Sequence, residues 1–319
     1  MILILSDKFD RHADIVTNKL LSRKEDFFRF DLDVESLKKS SINFEGGIWT
    51  IKQKDKTITS NQIKCVWVRR PFVELTLQER EKTDADFKIW KGEWNKTLIG
   101  LYNSLRNLPW LNPLRKSFKA ENKYLQMEIA HNIGFKMPRT LISNNRQKIL
   151  EFYSKEKDVV LKLMNQDFYK DEKGDLKGIY VNKLNKTSLL KFKEFGENPI
   201  VLQKYVPKMY EVRYTVVGKD HFVCKIDSQK SEISKTDWRR YDIPNTPYSV
   251  ITPPERIKCL VCDFMKKFEI EFGALDFIIT PENEWYFLEI NSMGQWLWIE
   301  DLVNLKISDS IVLWLIENK

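Results

Sequence analysis

The chain has 319 residues, of which 42% are hydrophobic and 31% charged, so it resembles an ordinary soluble protein with room for two or three domains. No apolar run reaches the roughly 18 residues of a membrane span. Residues 1–5 are too short and lack the basic start of a signal peptide, so we expect a cytoplasmic protein without a membrane partner. The net charge of +8 favours an anionic partner, namely a nucleotide, an acidic peptide or a nucleic acid.

Residues 1–112 are predicted to form an N-terminal α/β domain, which ends in a linker between Pro109 and Pro113. One predicted strand ends in Arg69 and Arg70, which either meet an anion or are ordinary surface charges of a loop. The hydrophobic pattern predicts strands at 1–5, 26–31, 48–51 and 63–71, and helices at 10–23 and 83–105.

Residues 113–198 are predicted to form a second, central domain that contains one notable lysine. Lys162 lies within the apolar strand 159–164, where an unpaired ammonium group is costly to bury. It therefore either faces water from an edge strand or points inward towards an anion. The other predicted elements are helices at 117–133, 145–153 and 186–195, strands at 140–142 and 178–181, and a polar loop at 165–177.

Residues 199–319 are predicted to carry a larger antiparallel sheet. Glu211 and Arg213 are two residues apart on one strand and share a face, where they either bind a ligand or form a cross-strand ion pair facing solvent. Strands are predicted at 200–206, 210–217 and 221–226, and helices at 255–272 and 308–317.

The four cysteines indicate no zinc site. Cys259 and Cys262 form a single CxxC pair on a helical pattern, without a second pair or a nearby histidine to complete four ligands. We interpret both as core residues, and we interpret Cys65 and Cys224 in the same way because they lie in strand-like runs.

The most informative stretch is 273–291, which predicts an antiparallel hairpin around a polar turn at 281–284. A two-residue loop at 282–283 places Asp276 opposite Glu289 and Ala274 opposite Asn291. Because side chains alternate along a strand, Asp276, Glu289 and Asn291 then share one face. Ile278 and Phe287 are assigned to this face, and the opposite face is assigned Leu275, Phe277, Leu288 and Ile290.

Two facing carboxylates repel one another unless they share a proton or bind a cation. Two carboxylates beside an amide oxygen suit a hard cation such as Mg²⁺, so Asp276, Glu289 and Asn291 are candidate metal ligands. The alternative is a half-exposed hairpin whose acids face water.

These features together resemble a known family. VVLKLM, LQKYVPKMYEVRYTVVG and GALDFIITPENEWYFLEINSMGQW look like the nucleotide-binding core of ATP-grasp ligases. MILILS, WVRRP, ENKYLQ, DWRRYD and LEINSMGQWLWIE extend the likeness over nearly the whole chain, to the peptide maturases of the microviridin type, which are also called graspetide synthetases.

The resemblance implies an α/β (α+β) ATP-grasp fold in three domains. These are an N-terminal pre-ATP-grasp domain at 1–112, a small central α+β domain at 113–198 and a C-terminal antiparallel-sheet domain at 199–319. It also implies that ATP and Mg²⁺ bind between the last two domains. The implied contacts are Lys123 and Lys162 with phosphates, Gln203, Lys204 and Val206 with adenine, and Glu211 with ribose. Arg213, Arg239 and Arg240 are the implied catalytic contacts to an acyl phosphate or to an acidic substrate.

The implied reaction macrocyclises a ribosomally made precursor peptide. Its Asp or Glu side chains are activated by ATP and joined to Thr or Ser as ω-esters, or to Lys as ω-amides. A leader segment docks near 186–195 and 211–226, and the family suggests a homodimer. The absence of a convincing Ser-His-Asp or Cys-His set agrees with a reaction that needs no nucleophile from the enzyme.

Two other readings stay open. One is an ATP-grasp amino-acid ligase, such as a glutamate ligase or a dipeptide ligase. The other is a basic protein that binds nucleic acid without catalysis, although the dispersed Lys and Arg residues argue against it.

Overall fold

The computed structural model of the protein describes residues 1–319 apart from 165–167, 171–175, 179–180, 186–197, 234, 236–237 and 239–241, and it describes 168–170 and 176–178 by their backbone alone. The predicted loop at 165–177 and the predicted strand at 178–181 therefore lie partly outside the described residues. The predicted helix at 186–195, together with Arg239 and Arg240, lies wholly outside them.

The first sheet is parallel, and strands and helices alternate through much of it, which agrees with the predicted α/β domain. Within 1–112 the elements are β1 (Ile2–Ser6), α1 (Arg11–Ser22), β2 (Phe27–Asp31), α2 (Val34–Lys38), β3 (Ser41–Glu45), β4 (Ile48–Gln53), β5 (Lys56–Thr59), β6 (Cys65–Val68), α3 (Leu77–Arg80), α4 (Ala85–Ser104) and β7 (Trp110–Leu111). The sheet has the order β2-β1-β6-β7, and β3, β4 and β5 form a separate antiparallel meander. Ile2 and Ile4 pack towards α1, whereas Leu3 and Leu5 pack towards α4, so both faces of β1 are buried.

The second sheet is small and antiparallel. Its region contains α5 (Leu114–Glu121), α6 (Lys123–Ile133), β8 (Thr140–Ser143), α7 (Arg146–Glu156), β9 (Val159–Lys162), β10 (Phe168–Lys170), β11 (Leu176–Gly178), β12 (Asn182–Lys183) and β13 (Ile200–Lys204). The sheet order is β12-β9-β13-β8, and β10 pairs with β11 as a separate hairpin.

The third sheet has five antiparallel strands and carries the hairpin predicted from the sequence. Its region contains β14 (Tyr210–Val217), β15 (Asp220–Ile226), β16 (Tyr248–Val250), α8 (Glu255–Phe268), β17 (Phe272–Ile279), β18 (Trp285–Asn291), α9 (Leu297–Val303) and α10 (Ile307–Glu317). The sheet order is β16-β15-β14-β17-β18. Short 3₁₀ turns occur at Ser60–Gln62, Ser228–Lys230 and Ile243–Asn245.

The helix predicted at 117–133 is in fact two helices that meet at Asn122. This residue has extended backbone angles, and its side chain accepts a hydrogen bond from the Leu125 backbone N–H at 3.1 Å. Asn competes well for this capping position and is a poor interior helix residue. The break separates Glu121, the last residue of α5, from Lys123, the first residue of α6.

The cysteine interpretation was half right. Cys65 and Cys224 are buried, and burial raises the pKa of each thiol to about 12, so both stay protonated. Cys259 and Cys262 are exposed, so their assignment to the core was wrong. The reason is that α8 is amphipathic and its buried face is formed by Ile257, Val261, Phe264, Met265 and Phe268.

Among the described residues, no helix combines the length and the apolar character that a membrane crossing requires.

Candidate active site

The hairpin of β17 and β18 brings the two predicted carboxylates face to face. Asp276 pairs with Glu289 and Ala274 pairs with Asn291, as predicted. The loop, however, has three residues, because Thr280 donates to the Glu284 carbonyl at 3.0 Å and Asn283 adopts a positive φ of 60°. A three-residue loop alone would move the strand pairing by one residue from the predicted register. An irregularity between Asp276 and Phe277, a β-bulge, shifts the register back by one residue, so the predicted pairs form.

This β-bulge also corrects the assignment of side chains to faces. Phe287 pairs with Phe277 and is buried in the core, whereas Leu288 lies beside the candidate site with Ile278. The prediction had Phe287 and Leu288 the other way round, since a one-residue shift in register moves a side chain to the opposite face of the sheet.

Each facing carboxylate contacts a cation of the protein. Arg213 lies opposite Asp276 on β14, and its Nη1 is 3.0 Å from both carboxylate oxygens. Lys123 Nζ lies 3.3 Å from Glu289 Oε2 and donates to the Ile290 carbonyl at 3.1 Å. The acid pair is therefore charge-compensated by side chains from two different elements.

The acid pair lies at one wall of a cavity of about 370 Å³, a size found in small-molecule sites. The lining of the whole cavity comes from α5 and α6, from the second sheet and from the third sheet. Nine of the predicted site residues line it: Lys123, Lys162, Gln203, Lys204, Val206, Glu211, Asp276, Glu289 and Asn291. Arg213 contacts Asp276 from outside this lining, and Arg239 and Arg240 lie outside the described residues.

Comparison with known proteins points to one family. The family profile described as the MvdD pre-ATP grasp domain matches residues 1–117. A RiPP-associated ATP-grasp ligase from Chryseobacterium gregarium, solved with ADP and with a leader and core peptide, is 30% identical, has a TM-score of 0.89, and aligns over 100% of this chain and 97% of its own. This chain belongs to the ATP-grasp peptide ligases of the microviridin type.

Two further members of this ligase family from Microcystis aeruginosa MRC are similar over the whole length. The macrocyclase MdnC, bound with the precursor peptide MdnA, is 25% identical with a TM-score of 0.86, covering 100% of both chains. The macrocyclase MdnB is 28% identical with a TM-score of 0.77, covering 99% of this chain and 98% of its own. A search of curated proteins returns no match. The predicted ATP-grasp fold is thus confirmed.

In this ATP-grasp ligase, the second sheet and the residue after β9 supply part of the apolar lining of the cavity. Val160, Val201 and Leu163 line it beside Lys162, which is only partly exposed. Gln203 donates to the Thr140 hydroxyl at 3.0 Å, which fixes its side chain at the end of β13.

Lys208 is the main site residue that the sequence analysis missed. Its Nζ is 2.7 Å from Glu211 Oε1, and both side chains are almost fully buried at the cavity. The available signal was the three-residue spacing in the segment Lys208-Met209-Tyr210-Glu211. Trp238 was also missed; it lines the cavity and stacks on Trp298 with the ring centroids 4.8 Å apart.

Gln126 explains how the exposed edge of β18 is held in place. Its amide nitrogen donates to the Ile290 carbonyl at 2.9 Å, and its amide oxygen accepts the Ile290 N–H at 3.1 Å. The side chain therefore replaces a neighbouring strand next to Glu289 and Asn291. This role was not predicted, although ENKYLQ carried part of the resemblance.

The donor set fits Mg²⁺. It consists of two carboxylates and an amide, all oxygen ligands, and a Mg²⁺ site of this kind is completed by waters and substrate phosphates. No cluster of three or more His, Cys, Asp or Glu side chains suited to a metal occurs in the part of the chain that the structure describes.

The loop that follows Asn291 is fixed by side chains from distant parts of the chain. The Ser292 carbonyl accepts from Asn112 Nδ2 at 3.0 Å, and Ser292 Oγ donates to Glu121 at 2.8 Å. Arg69 Nη1 donates to the Met293 carbonyl at 3.0 Å. A Cβ added at Gly294 would lie 2.7 Å from Ala274 Cβ, so only glycine allows this approach.

Arg69 resolves one of the alternatives left by the sequence. It is buried, with Nε 3.3 Å from Asp10 Oδ2, so it holds the protein together rather than facing solvent. Arg70 is 40% exposed and lies 3.3 Å from Asp7.

Burial and then the charge of Arg69 lower the pKa of His12 to about 3, so its imidazole is neutral.

Proposed function

We propose that this protein is an ATP-dependent macrocyclase of a ribosomally made precursor peptide. It activates Asp or Glu side chains of the peptide as acyl phosphates and joins them to Thr or Ser hydroxyls, or to Lys amines. The observation that carries the proposal is the facing pair of Asp276 and Glu289 in a lysine-lined cavity, within a chain 30% identical to a peptide ligase solved with ADP.

The proposed nucleotide position follows the chemistry of the cavity wall. Lys123 and Lys162 hold phosphates as point charges, because ammonium groups suit this role. The adenine lies against Gln203, Lys204 and Val206, and the ribose hydroxyls are held by Glu211. Lys208 supports that contact, because it fixes the Glu211 carboxylate by an ion pair of 2.7 Å.

Asp276, Glu289 and Asn291 are the proposed ligands of Mg²⁺. The bound metal would neutralise charge on the phosphates of the nucleotide. Arg213 holds the Asp276 carboxylate through Nη1 and is itself held by the Gln295 carbonyl, 3.0 Å from Nη2. We assign Arg213 a role in positioning that carboxylate near the developing acyl phosphate. We assign to Arg239 and Arg240 the contacts with the acyl phosphate or with acidic residues of the peptide.

The reaction balances without a nucleophile from the enzyme. A carboxylate oxygen of the peptide attacks the γ-phosphorus of ATP, the bond to the β-phosphate oxygen breaks, and ADP leaves. A hydroxyl or amine of the same peptide then attacks the acyl carbon, loses its proton to solvent and expels phosphate. The net change in the peptide is the loss of one water for each ring, and positioning and charge neutralisation account for the rate.

The proposed organisation assigns 1–112 to the pre-ATP-grasp domain, 113–198 to the central domain and 199–319 to the domain with the metal hairpin, although β13 of this last range pairs with β8 and β9 in the second sheet. The leader of the peptide docks on the central domain near 186–195 and on the hairpin of β14 and β15. The relatives support this partner, because two of them were solved with leader and core peptide or with a precursor peptide. A homodimer is the proposed assembly.

The deciding experiment is mass spectrometry of candidate precursor peptides after incubation with ATP and Mg²⁺. We expect a loss of 18 Da, the mass of water, for each ring, and hydrolysis or aminolysis of the product then distinguishes ester from amide links. Glu289→Ala and Asn291→Ala should abolish the mass loss while circular dichroism and thermal unfolding stay close to those of the native protein. If these variants cyclise peptide at the normal rate, the metal assignment is wrong; if free amino acids are joined instead, the enzyme is an amino-acid ligase.

A further inference from the structure

The two carboxylates of the facing pair are compensated by cations of different kinds. Arg213 is 6% exposed and is held by three hydrogen bonds. Two join Nη1 to the oxygens of Asp276, and one joins Nη2 to the Gln295 carbonyl. Lys123 is 23% exposed, lines the cavity and contacts Glu289 through one oxygen at 3.3 Å. Only the second of these cations has open space beside it.

We propose that Lys123 is an exchangeable counter-ion, which neutralises Glu289 until a nucleotide arrives and then moves to the phosphates as the metal takes its place. The inference rests on the proposed function and concerns the order of binding at that site. It implies that a divalent cation binds weakly to the protein alone and tightly only together with the nucleotide.

The charges at the hairpin give the reason for this exchange. Asp276 and Glu289 face one another directly, and like charges in that position repel, so a nearby ammonium group stabilises the pair. A divalent cation has to compete with that ammonium for Glu289. A phosphate gives Lys123 another anion to bind and so removes the competition.

The side chains themselves suit these different roles. Lysine carries a compact charge on a flexible four-carbon chain, whereas the planar guanidinium of arginine is held by several directed hydrogen bonds. Lys123 is the first residue of α6, and its backbone is fixed because Asn122 caps the helix through Leu125. The ammonium can therefore move across the cavity while the backbone stays in place.

Metal and nucleotide are then positively coupled, and the coupling must be reciprocal. ADP should tighten the binding of metal by the same factor by which metal tightens the binding of ADP. Lys123 contributes to this factor twice, because it blocks Glu289 when phosphate is absent and holds phosphate when it is present.

The test measures Mn²⁺ binding to the nucleotide-free protein by electron paramagnetic resonance. It is made at about pH 8, where carboxylates are ionised. Lys123→Met should bind Mn²⁺ on the order of tenfold more tightly than the native protein, because the competing charge is gone. With ADP present the variant should bind Mn²⁺ less tightly than the native protein with ADP. A variant that is merely less well folded would not show a higher Mn²⁺ affinity without nucleotide together with a lower Mn²⁺ affinity with ADP.

Lys208→Met is the matched control. It removes a positive charge from the same cavity, and that charge is paired with Glu211. We expect no gain in Mn²⁺ affinity without nucleotide. A similar gain in both variants would show a general effect of net charge and would overturn the exchange.

A second variant and the native protein keep the inference testable if Lys123→Met folds poorly. Lys123→Gln should show the same gain, and in the native protein ADP should tighten Mn²⁺ binding whereas adenosine, which has no phosphate, should not. Equal or weaker nucleotide-free Mn²⁺ binding by both Lys123 variants contradicts the exchange, even if the native enzyme cyclises peptide. A native protein that neither binds Mn²⁺ with ADP nor cyclises peptide contradicts the proposed function instead.

Discussion

At the scale of single residues, the ion pair of Lys208 and Glu211 is among the most deeply buried of the described pairs. Their side chains are 2% and 5% exposed, and Nζ is 2.7 Å from Oε1. Removing one partner of a buried pair leaves the other charge without compensation, which costs far more than the pair contributes as a unit. Exposed pairs such as Lys136 and Glu284 do not behave in this way, because water solvates the remaining charge.

We therefore predict that Lys208→Met lowers the free energy of unfolding by about 3 kcal/mol. The double variant Lys208→Met with Glu211→Gln should recover at least half of this loss, because it removes both charges. Urea unfolding monitored by fluorescence measures each value.

Lys136→Met serves as the control and should change the free energy of unfolding by less than about 1 kcal/mol. A double variant that is less stable than Lys208→Met would mean that the two residues do not act as a buried ion pair.

Some residues of the site were predictable from the sequence and others were not. Lys162 was identified because a lysine in an apolar strand is unusual, and the acids of the hairpin were identified because they alternate with apolar residues. Lys208 was less conspicuous, because it lies between two predicted strands and its signal was the three-residue spacing to Glu211. Its burial results from the way the second and third sheets close around the cavity, and periodicity within one element does not contain that information.

At the scale of elements, the hairpin shows how a correct pairing was reached through a wrong loop. The loop is one residue longer than assumed, and the bulge beside Asp276 compensates for the difference. Bulges often redirect a side chain next to an active site. The predicted pairs of Asp276 and Ala274 survive for this reason, while the faces of Phe287 and Leu288 are exchanged.

The start of α1 gives a further prediction, this time about pH. Asp10 caps the helix, and His12 lies against Trp296 with the ring centroids 4.8 Å apart. Burial lowers the pKa of His12 to about 3; the charges of Arg69, Arg70 and Arg11 add to this shift, and Asp10 opposes it. An unfolded histidine titrates near 6.5.

Between about pH 6.5 and 3 the unfolded chain therefore binds a proton that the folded protein does not. The stability that depends on neutral His12 is fully present above about pH 6.5 and is lost as the pH falls towards 3. We expect about 2 kcal/mol less stability at pH 5 than at pH 8 from this residue alone.

Urea unfolding of the native protein and of His12→Phe at both pH values isolates that contribution, because all other titrating groups are common to the two. The variant should show a pH dependence smaller by about 2 kcal/mol. Identical pH dependence of the two proteins would mean that His12 takes up a proton in the folded state.

At the scale of the whole molecule, the N-terminal region, α5 and the third sheet meet at the loop after Asn291. Asn112 and Arg69 reach this loop from the N-terminal region, Glu121 reaches it from α5, and Arg213 reaches it from the third sheet. The sequence resemblance suggested which segments belong to one site. Three of these four contacts join residues more than 150 positions apart, and no local pattern predicts them.

Arg69 connects the N-terminal sheet to the candidate metal site without touching it. It pairs with Asp10 and bonds to the Met293 carbonyl, while the neighbouring Gln295 carbonyl is bonded to Arg213, which holds Asp276. Groups that hydrogen-bond directly to a metal ligand typically change metal affinity by about 10- to 100-fold when they are removed, and Arg69 acts one contact further out, so we expect the lower end of this range. The N-terminal domain should thus influence the geometry of ligands that lie more than 200 residues away in sequence.

We predict that Arg69→Met weakens Mn²⁺ binding in the presence of ADP by about tenfold. Arg29→Met is the control, because Arg29 is a largely buried arginine of the same sheet that pairs with Asp14 and Asp31. Both variants should lose stability, since each removes a partner from a buried carboxylate. Only Arg69→Met should also loosen the metal site, and equal Mn²⁺ affinities of the two variants would show that the N-terminal sheet supports the fold without positioning the ligands.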